Sequence, residues 1–217
     1  MKSLTTLFEN VNRKVPYITV GEGVDYCFVQ EGSTLYIYFE PSDGKVDWKH
    51  NFMFSKKPYK DMKNPYRVHR GFLKCWKYVE DTIIDYIKDL FIKEIIVVGY
   101  SHGGALAMLC HECCWYHRED IRKNIWGIGF DTPRVYAGLW VRKNLKARWK
   151  QFLVVRNHTD IVTHLPPVLF GYTHVGKMLK VGRKAKYGCI KSHYPENIIQ
   201  SLKECEYNNT WKDYFTD

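Results

Sequence analysis

Apolar residues in this chain follow two spacings, one typical of buried strands and one typical of amphipathic helices. Short runs of β-branched and aromatic residues predict strands at 24–30, 34–40, 94–98, 124–130 and 152–156. Helices are predicted at 72–90, 103–117 and 135–148, with a last one from Pro195 to about Cys205. Strands that alternate with helices after a first hairpin predict an α/β fold, with a mostly parallel sheet covered on both faces.

Two segments lack that regular pattern. Residues 41–68 are predicted to be rich in loops, because they hold three prolines and a cluster of lysines. Residues 171–191 are basic and punctuated by glycines, and they lead to His193. No repeat, low-complexity tract or linker divides the chain, so a single domain over residues 1–217 is expected.

The junction of a predicted strand and helix at Gly99-Tyr100-Ser101-His102-Gly103 is the most informative segment. The pattern G-x-S-x-G in this context predicts a strained turn that places the Ser101 hydroxyl at the top of the sheet. Glycines are needed there because a side chain would collide with the neighbouring strand or helix. Ser101 is therefore the candidate nucleophile, and the backbone N–H of His102 is a candidate oxyanion donor.

A serine nucleophile needs a base within hydrogen-bonding distance and a carboxylate that orients the base. With this type of turn the residues follow in the order serine, acid, histidine. Asp160 lies just after the strand 152–156, and Asp131 ends the preceding strand. Asp160 is preferred because the acid loop commonly follows a strand beyond the neighbour of the nucleophile's strand. Otherwise either aspartate is an Asx turn or a helix cap.

His174 and His193 are the candidate bases that lie beyond the acid loop. His193 is preferred because a proline-initiated helix follows it and anchors its loop, whereas His174 lies in a glycine-flanked stretch. The second oxyanion donor is expected in the loop after the strand 34–40, where Ser42 offers a backbone N–H and a hydroxyl. A simple turn serine is the alternative for Ser42.

Several motifs, in the same order, resemble the fungal-type lipases, also called class 3 lipases, over about residues 35–195. The G-x-S-x-G segment is similar to their G-H-S-L-G, and Val68-His69-Arg70-Gly71-Phe72 is similar to V-H-x-G-F. Phe130-Asp131-Thr132-Pro133-Arg134-Val135 resembles F-G-x-P-R-V. Residues 157–167 resemble the acid loop N-x-x-D-x-V-x-x-L-P-P, and His193 falls where the family places its base.

This resemblance implies an α/β-hydrolase fold and a serine esterase or lipase that hydrolyses carboxylic esters of lipids, either acylglycerols or phospholipids. It implies a catalytic triad of Ser101, Asp160 and His193, with Ser42 and His102 at the oxyanion hole. Such chemistry uses an acyl-enzyme and needs no metal and no cofactor.

The chain departs from the family pattern at two places. The family's R-G-T or R-G-S after the early strand is Glu40-Pro41-Ser42 here, and Asp131 stands where glycine is usual. The family's lid would correspond to residues 43–54, in which aromatic side chains are mixed with lysines and a histidine. A rather polar lid is therefore expected.

Composition adds a strong basic charge, since the formal net charge is +10. Such a charge favours anionic partners, and the alternative is a solvated basic surface. We expect cations near the lid and before His193 to attract anionic lipid interfaces. These residues are Lys45, Lys49, Lys56, Lys57, Lys60, Lys63, Lys177, Lys180, Arg183, Lys184, Lys186 and Lys191.

Two other classes of function remain open on the sequence alone. One is a catalytically silent α/β-hydrolase that serves as a binding module, which the change at Glu40-Pro41 favours. The other is a basic nucleic-acid-binding protein. No nucleic-acid-binding motif accompanies the charge, so nucleic acid is not the expected partner, and no obligate protein partner is indicated.

The seven cysteines have no disulfide-module spacing, so we expect small buried thiols in a reducing compartment. Cys110 and Cys113 have the spacing of a redox or zinc pair, but they lie in a predicted helix with no second pair nearby. The N-terminus has no apolar segment of signal-peptide length, and no stretch approaches the roughly 18 apolar residues of a membrane span. A cytoplasmic location is expected.

Overall fold

The computed structural model describes residues 2–12, 16–40, 54–59, 66–138, 148–183, 189–205 and 211–215. Its strands are β1 (Ile18–Val20), β2 (Val24–Glu31), β3 (Thr34–Phe39), β4 (Lys56–Tyr59), β5 (Tyr66–His69), β6 (Glu94–Tyr100), β7 (Ile125–Phe130), β8 (Tyr136–Ala137), β9 (Phe152–Asn157), β10 (Tyr172–Thr173) and β11 (Lys177–Val181). Its α-helices are α1 (Leu4–Asn12), α2 (Arg70–Trp76), α3 (Glu80–Tyr86), α4 (His102–His117) and α5 (Pro195–Cys205).

The strands form two sheets. The larger has seven strands in the order β1-β2-β3-β6-β7-β9-β11. Strands β1, β2 and β3 pair antiparallel, and β3, β6, β7, β9 and β11 pair parallel. The smaller sheet is antiparallel, in the order β10-β8-β5-β4. The predicted hairpin followed by a mostly parallel sheet is confirmed.

The larger sheet buries both of its faces. In β3, Leu35, Ile37 and Phe39 belong to one buried cluster, and Tyr36 and Tyr38 belong to the other. Helices α2, α3 and α4 contribute to the first cluster, and helices α1 and α5 contribute to the second. Because neither face meets water, the central strand β6 is an unbroken apolar run and not an alternating pattern.

The helix predicted over residues 72–90 is wrong in its continuity, since α2 ends at Trp76 and α3 begins at Glu80. Two backbone N–H groups in the break donate to carbonyls three residues earlier, at 3.1 and 3.0 Å, which tightens the chain. The buried Glu80 carboxylate accepts a hydrogen bond from the Trp76 indole at 2.9 Å and another from the Tyr59 hydroxyl. The break is therefore tied to β4, a contact that helical periodicity does not reveal.

Other segments also differ from the prediction. The region 41–68, expected to be loops, contains β4 and β5, and the basic segment 171–191 contains β10 and β11. The helix expected over residues 135–148 is wrong at its start, where β8 lies, and residues 139–147 are outside the described ranges. These strands are short and pair with partners distant in sequence, so their own residues carry little periodic signal.

Helix α1, which the pattern of apolar residues did not predict, packs on the strand that leads to Ser101. Its buried Phe8 meets the ring of Tyr100 edge-on, with centroids 5.2 Å apart. The same ring meets Phe130, at the end of β7, at 5.0 Å. Phe8 thus supports the ends of the two strands that carry Ser101 and Asp131.

Replacing Phe8 with alanine is expected to lower the free energy of unfolding by about 3–5 kcal/mol, because a fully buried aromatic side chain is lost from a packed cluster. Urea unfolding followed by circular dichroism measures the change. Phe91→Ala is the matched control, since Phe91 is 61% exposed and should cost less than about 0.5 kcal/mol. Equal losses for the two variants would contradict the packing role of α1.

Candidate active site

Ser101 sits in the turn between β6 and α4 with an unusual backbone conformation. Its φ is 55° and its ψ is −119°, a conformation that costs energy in a residue with a side chain. Its N–H donates to the Phe130 carbonyl at 2.9 Å, which continues the β6–β7 ladder into the turn. A Cβ on Gly99 would lie 2.2 Å from the Gly103 carbonyl oxygen, and one on Gly103 would lie 2.4 Å from the carbonyl of Phe39. Close backbone approach therefore requires both glycines.

Ser101, His193 and Asp160 form a continuous hydrogen-bonded chain. His193 Nε2 lies 2.7 Å from Ser101 Oγ, and His193 Nδ1 lies 2.7 Å from Asp160 Oδ2. Asp160 is fully buried, and its Oδ1 also accepts the N–H of Val162 at 2.8 Å. An ionised carboxylate only accepts, so Nδ1 carries the proton and Nε2 is free to accept the hydroxyl proton of Ser101.

The loops that carry the acid and the base are joined to each other. The side-chain amide of Asn157, at the end of β9, donates to the Ser192 carbonyl at 2.9 Å. The N–H of Cys189 donates to the Thr159 carbonyl at 2.7 Å, and the hydroxyls of Thr159 and Ser192 hydrogen-bond to each other. These contacts hold Asp160 and His193 at a constant separation, which a base and its orienting carboxylate require.

Tyr100, which sequence reasoning missed, supports the base from behind. Its hydroxyl donates to the backbone carbonyl of His193, and the two rings lie 5.2 Å apart. Burial raises the pKa of Tyr100 far above its usual range, so the hydroxyl stays protonated and remains a donor. No sequence signal identifies this contact, since the position before the serine in G-x-S-x-G is not restricted to one residue type.

Arg134 holds the acid loop from the side of β7. Its backbone N–H donates to the Leu165 carbonyl at 2.6 Å, and its guanidinium donates to the Pro166 carbonyl at 2.8 Å. The arginine of the D-T-P-R segment and the L-P-P end of the acid loop, both noticed in the sequence, are thus two sides of one contact.

The two alternatives raised by the sequence take other positions. Asp131 is buried, and its Oδ1 accepts the N–H of Asn157 at 2.6 Å rather than orienting His193. His174 hydrogen-bonds to the Thr163 carbonyl at 2.7 Å, and burial lowers the pKa of His174 to about 4. It is a neutral histidine that braces the acid loop.

Of the two predicted oxyanion residues, the structure describes His102. His102 begins α4, and its buried ring meets Phe72 edge-on at 5.4 Å. Its backbone N–H is therefore the group that stays a candidate oxyanion donor. Ser42 and lid residues 43–53 lie outside the described ranges, so their roles stay predictions.

One group of described residues has the spacing of a metal site. Asp131, Asp160 and His193 each offer an oxygen or nitrogen atom, all within 4.8 Å of one another. His193 Nδ1 is already hydrogen-bonded to Asp160, and both carboxylates are buried. The arrangement is that of a hydrogen-bonded cluster that can activate Ser101 as a nucleophile.

Comparison with known proteins places the chain in a family. The family described as lipase (class 3) matches residues 36–170. The chain belongs to the class 3 lipase family. A lipase of Rhizomucor miehei is 30% identical to it in an alignment of 153 residues that covers 66% of this chain and 40% of that lipase. The chain thus spans less than half the length of this curated relative.

Solved lipase structures share the fold of this class 3 lipase family member. A fungal lipase–inhibitor complex gives a TM-score of 0.64 at 20% identity, over 93% of this chain and 79% of the other. A triacylglycerol lipase whose catalytic centre is formed by a serine protease triad gives a TM-score of 0.61 at 24% identity, over 77% and 66% of the two chains. The predicted α/β-hydrolase fold is confirmed.

A groove of about 680 Å³ lies between the segment before β4 and the segment before β10. Its lining includes Phe54, Lys56, Leu169 and Phe170. Leu169 is 97% exposed, and the rings of Phe54 and Phe170 lie 6.2 Å apart. A chain of ring contacts links Phe54 to the elbow, since His69 lies between Phe54 and Phe72, and Phe72 contacts His102. The ring distances are 5.9, 4.2 and 5.4 Å.

The basic residues are not all where the sequence suggested. Lys177 lies in β11 and not in a loop, and it pairs with Leu153 near the amino end of β9, away from Ser101. The expectation that Lys177 and Lys180 lie in a loop before His193 is wrong, because both are residues of β11. The exposed cations among the described residues of the set are Lys56, Lys57, Lys180, Arg183 and Lys191. Lys45, Lys49, Lys60, Lys63, Lys184 and Lys186 lie outside the described ranges.

Tyr100→Phe is expected to slow the phosphonylation of Ser101 about fivefold, since losing the hydrogen bond to the His193 carbonyl costs about 1 kcal/mol of support for the base. The rate of labelling by a fluorophosphonate probe measures the effect. Tyr86→Phe is the control, because Tyr86 is 38% exposed and its hydroxyl makes only a long contact of 3.4 Å with Gln30. An unchanged labelling rate in Tyr100→Phe would show that the hydroxyl does not position His193.

Proposed function

We propose that the chain is a serine esterase that hydrolyses carboxylic ester bonds of lipids, either acylglycerols or phospholipids. The hydrogen-bonded chain from Asp160 through His193 to Ser101 carries this proposal. Membership of the class 3 lipase family supports it.

The reaction follows from the geometry. His193 Nε2 takes the Ser101 proton as Oγ attacks the acyl carbonyl, and Asp160 stabilises the imidazolium. The N–H of His102 and, as we propose, Ser42 bind the oxyanion of the tetrahedral intermediate. The intermediate collapses, and His193 passes its proton to the leaving alcohol. Water then attacks the acyl-enzyme with His193 as base, which releases the carboxylic acid and restores Ser101.

The groove lined by Phe54, Leu169 and Phe170 supports the proposal that the acyl group of the substrate is lipid-like. Phe54, Leu169 and Phe170 give it an apolar wall, and Leu169 and Phe170 are exposed. An alkyl chain that covers them gains about 25 cal/mol for each Å² of apolar surface removed from water. A short polar acyl group would gain little there, so we propose that esters with longer acyl chains are preferred.

The exposed cations suggest that the protein contacts an anionic lipid surface. Lys56 lies over the Tyr172 ring at 5.6 Å, beside the exposed Leu169 and Phe170. Arg183 and Lys191 flank the loop that carries His193. Apolar and cationic groups together fit the surface of an anionic bilayer, and we propose peripheral contact with such a surface.

We also propose a cytoplasmic location. All seven cysteines are free thiols, and five of them are buried, which suits a reducing compartment. Among the described residues, no helix combines the length and apolar character that crossing a bilayer requires.

Ser101→Ala and His193→Ala should each abolish nearly all hydrolysis of p-nitrophenyl esters, triglycerides and phospholipids while the circular dichroism spectrum stays unchanged. Asp160→Asn should lower kcat by roughly 10⁴-fold, because the wrong imidazole tautomer is then favoured. A fluorophosphonate should label Ser101 alone.

Matched controls come from exposed residues of the same types. Ser33→Ala, His117→Ala and Asp85→Asn should leave ester hydrolysis at the wild-type rate. Labelling of Ser101→Ala at the wild-type rate would refute the nucleophile. A larger loss in Asp131→Asn than in Asp160→Asn would refute the acid. An inactive wild-type chain would favour the silent binding module.

Activity should be higher on vesicles that contain phosphatidylglycerol or phosphatidylserine than on neutral vesicles, and the difference should shrink as salt rises. The double variant Lys57→Gln/Arg183→Gln should bind anionic vesicles about 30-fold more weakly, since each cation contributes about 1 kcal/mol. Lys88→Gln/Lys123→Gln removes the same charge from other exposed sites and should change binding little. Equal activity on both vesicle types at low salt would rule out this proposal.

A further inference from the structure

A second carboxyl group lies behind the candidate triad. Asp131 is 1% exposed and Asp160 is 0% exposed. One oxygen of each and one ring nitrogen of His193 all lie within 4.8 Å of one another. Asp131 follows β7, whose neighbours in the sheet are β6 and β9, and its N–H donates to the Val155 carbonyl of β9 at 2.8 Å. This hydrogen bond to β9 therefore fixes the backbone position from which the Asp131 side chain extends.

The hydrogen bonds of Asp131 indicate that it carries a proton. Oδ1 accepts the N–H of Asn157 at 2.6 Å, whereas Oδ2 is buried and has no hydrogen-bond partner among the described residues. An ionised Asp131 would leave a buried oxygen without a donor and set two negative charges side by side, which is costly. A proton on Oδ2 turns that oxygen into a donor, and the neighbouring Asp160 is an acceptor.

The charges around Asp131 agree with a neutral acid. Burial, and next the charge of Asp160, raise the pKa of Asp131 well above its usual range. The cation of Arg156 acts in the opposite direction and is the weaker influence. Other titratable groups close to the pair are His193, which is hydrogen-bonded to Asp160, His164, and the Tyr100 hydroxyl, which stays protonated.

We propose that Asp131 is a positioning residue, a neutral carboxylic acid whose O–H donates to Asp160 and fixes that carboxylate for His193. This inference rests on the proposed function. Asp160 then has three donors around it, from Val162, His193 and Asp131. The cluster carries one negative charge, which balances the imidazolium that forms when Ser101 attacks. An ionised Asp131 would add a second negative charge and hold His193 protonated.

The backbone at Asp131 allows a sharp test. Its φ is 42°, in the left-handed region, where asparagine and glycine are both tolerated. Asparagine keeps a neutral donor of the same shape, whereas glycine, the residue usual at this place in the family, removes the donor without backbone strain. Both variants should fold.

Asp131→Asn should keep kcat on a p-nitrophenyl ester within about threefold of wild type, whereas Asp131→Gly should lose about 10- to 100-fold in kcat with little change in KM, because a misplaced base slows only the chemical step. The wild-type kcat/KM should fall as alkaline pH ionises Asp131 and removes the donor. The asparagine variant cannot ionise, so its profile should stay flat over that range.

Infrared spectroscopy gives a readout that needs no activity. At pH 7 the wild type should show the carbonyl stretch of protonated carboxylic acids, to which the buried Glu112 also contributes, because burial raises the pKa of Glu112 to about 7. The band should weaken in Asp131→Asn and keep its wild-type intensity in the exposed control Asp85→Asn. An unchanged band in Asp131→Asn, or equal kcat values for the asparagine and glycine variants, would overturn the inference. If the band behaves as expected but no ester is hydrolysed, the protonation of Asp131 stands and the proposed function fails.

Discussion

The parallel pairing of β6, β7 and β9 is the constraint on which the site depends. Tyr100 pairs with Phe130, and Phe130 pairs with Val155, so the three strands end side by side. The ladder continues beyond the strands, since Ser101 donates to Phe130 and Asp131 donates to Val155. Because carboxyl ends of parallel strands share one edge, segments far apart in the chain meet there.

The site combines strain with burial. Ser101 and Asp131 both have positive φ, at 55° and 42°, and each follows the last residue of a buried strand. Such conformations persist only where the surroundings determine them, and here the ladder bonds and the packing of Phe8 do so. The turn directs the Ser101 hydroxyl toward His193, while burial keeps Asp160 in a medium where its interaction with the imidazole is strong.

Local sequence patterns predicted the elements that are formed by residues close together in the chain. The unbroken apolar run of β6 and the glycines of the turn lie within ten residues, so the elbow and α4 followed from the sequence. Topological order ranked Asp160 above Asp131, and the hydrogen bond to His193 agrees with that ranking. What the sequence could not show depends on distant contacts, such as the break before Glu80, the second sheet, and the bond from Tyr100 to a carbonyl 93 residues away.

Helix α1 and the candidate base His193 lie outside the residues that the family description matches. That match covers 36–170, whereas α1 precedes it and His193 follows it. Phe8 contacts Tyr100, and Tyr100 contacts His193, so the two outer segments join behind the elbow. A chain that kept only the matched region would hold Ser101 and Asp160 without a base. The placement of His193 therefore depends on the whole fold. The similarity to the fungal lipase–inhibitor complex likewise extends over 93% of the chain.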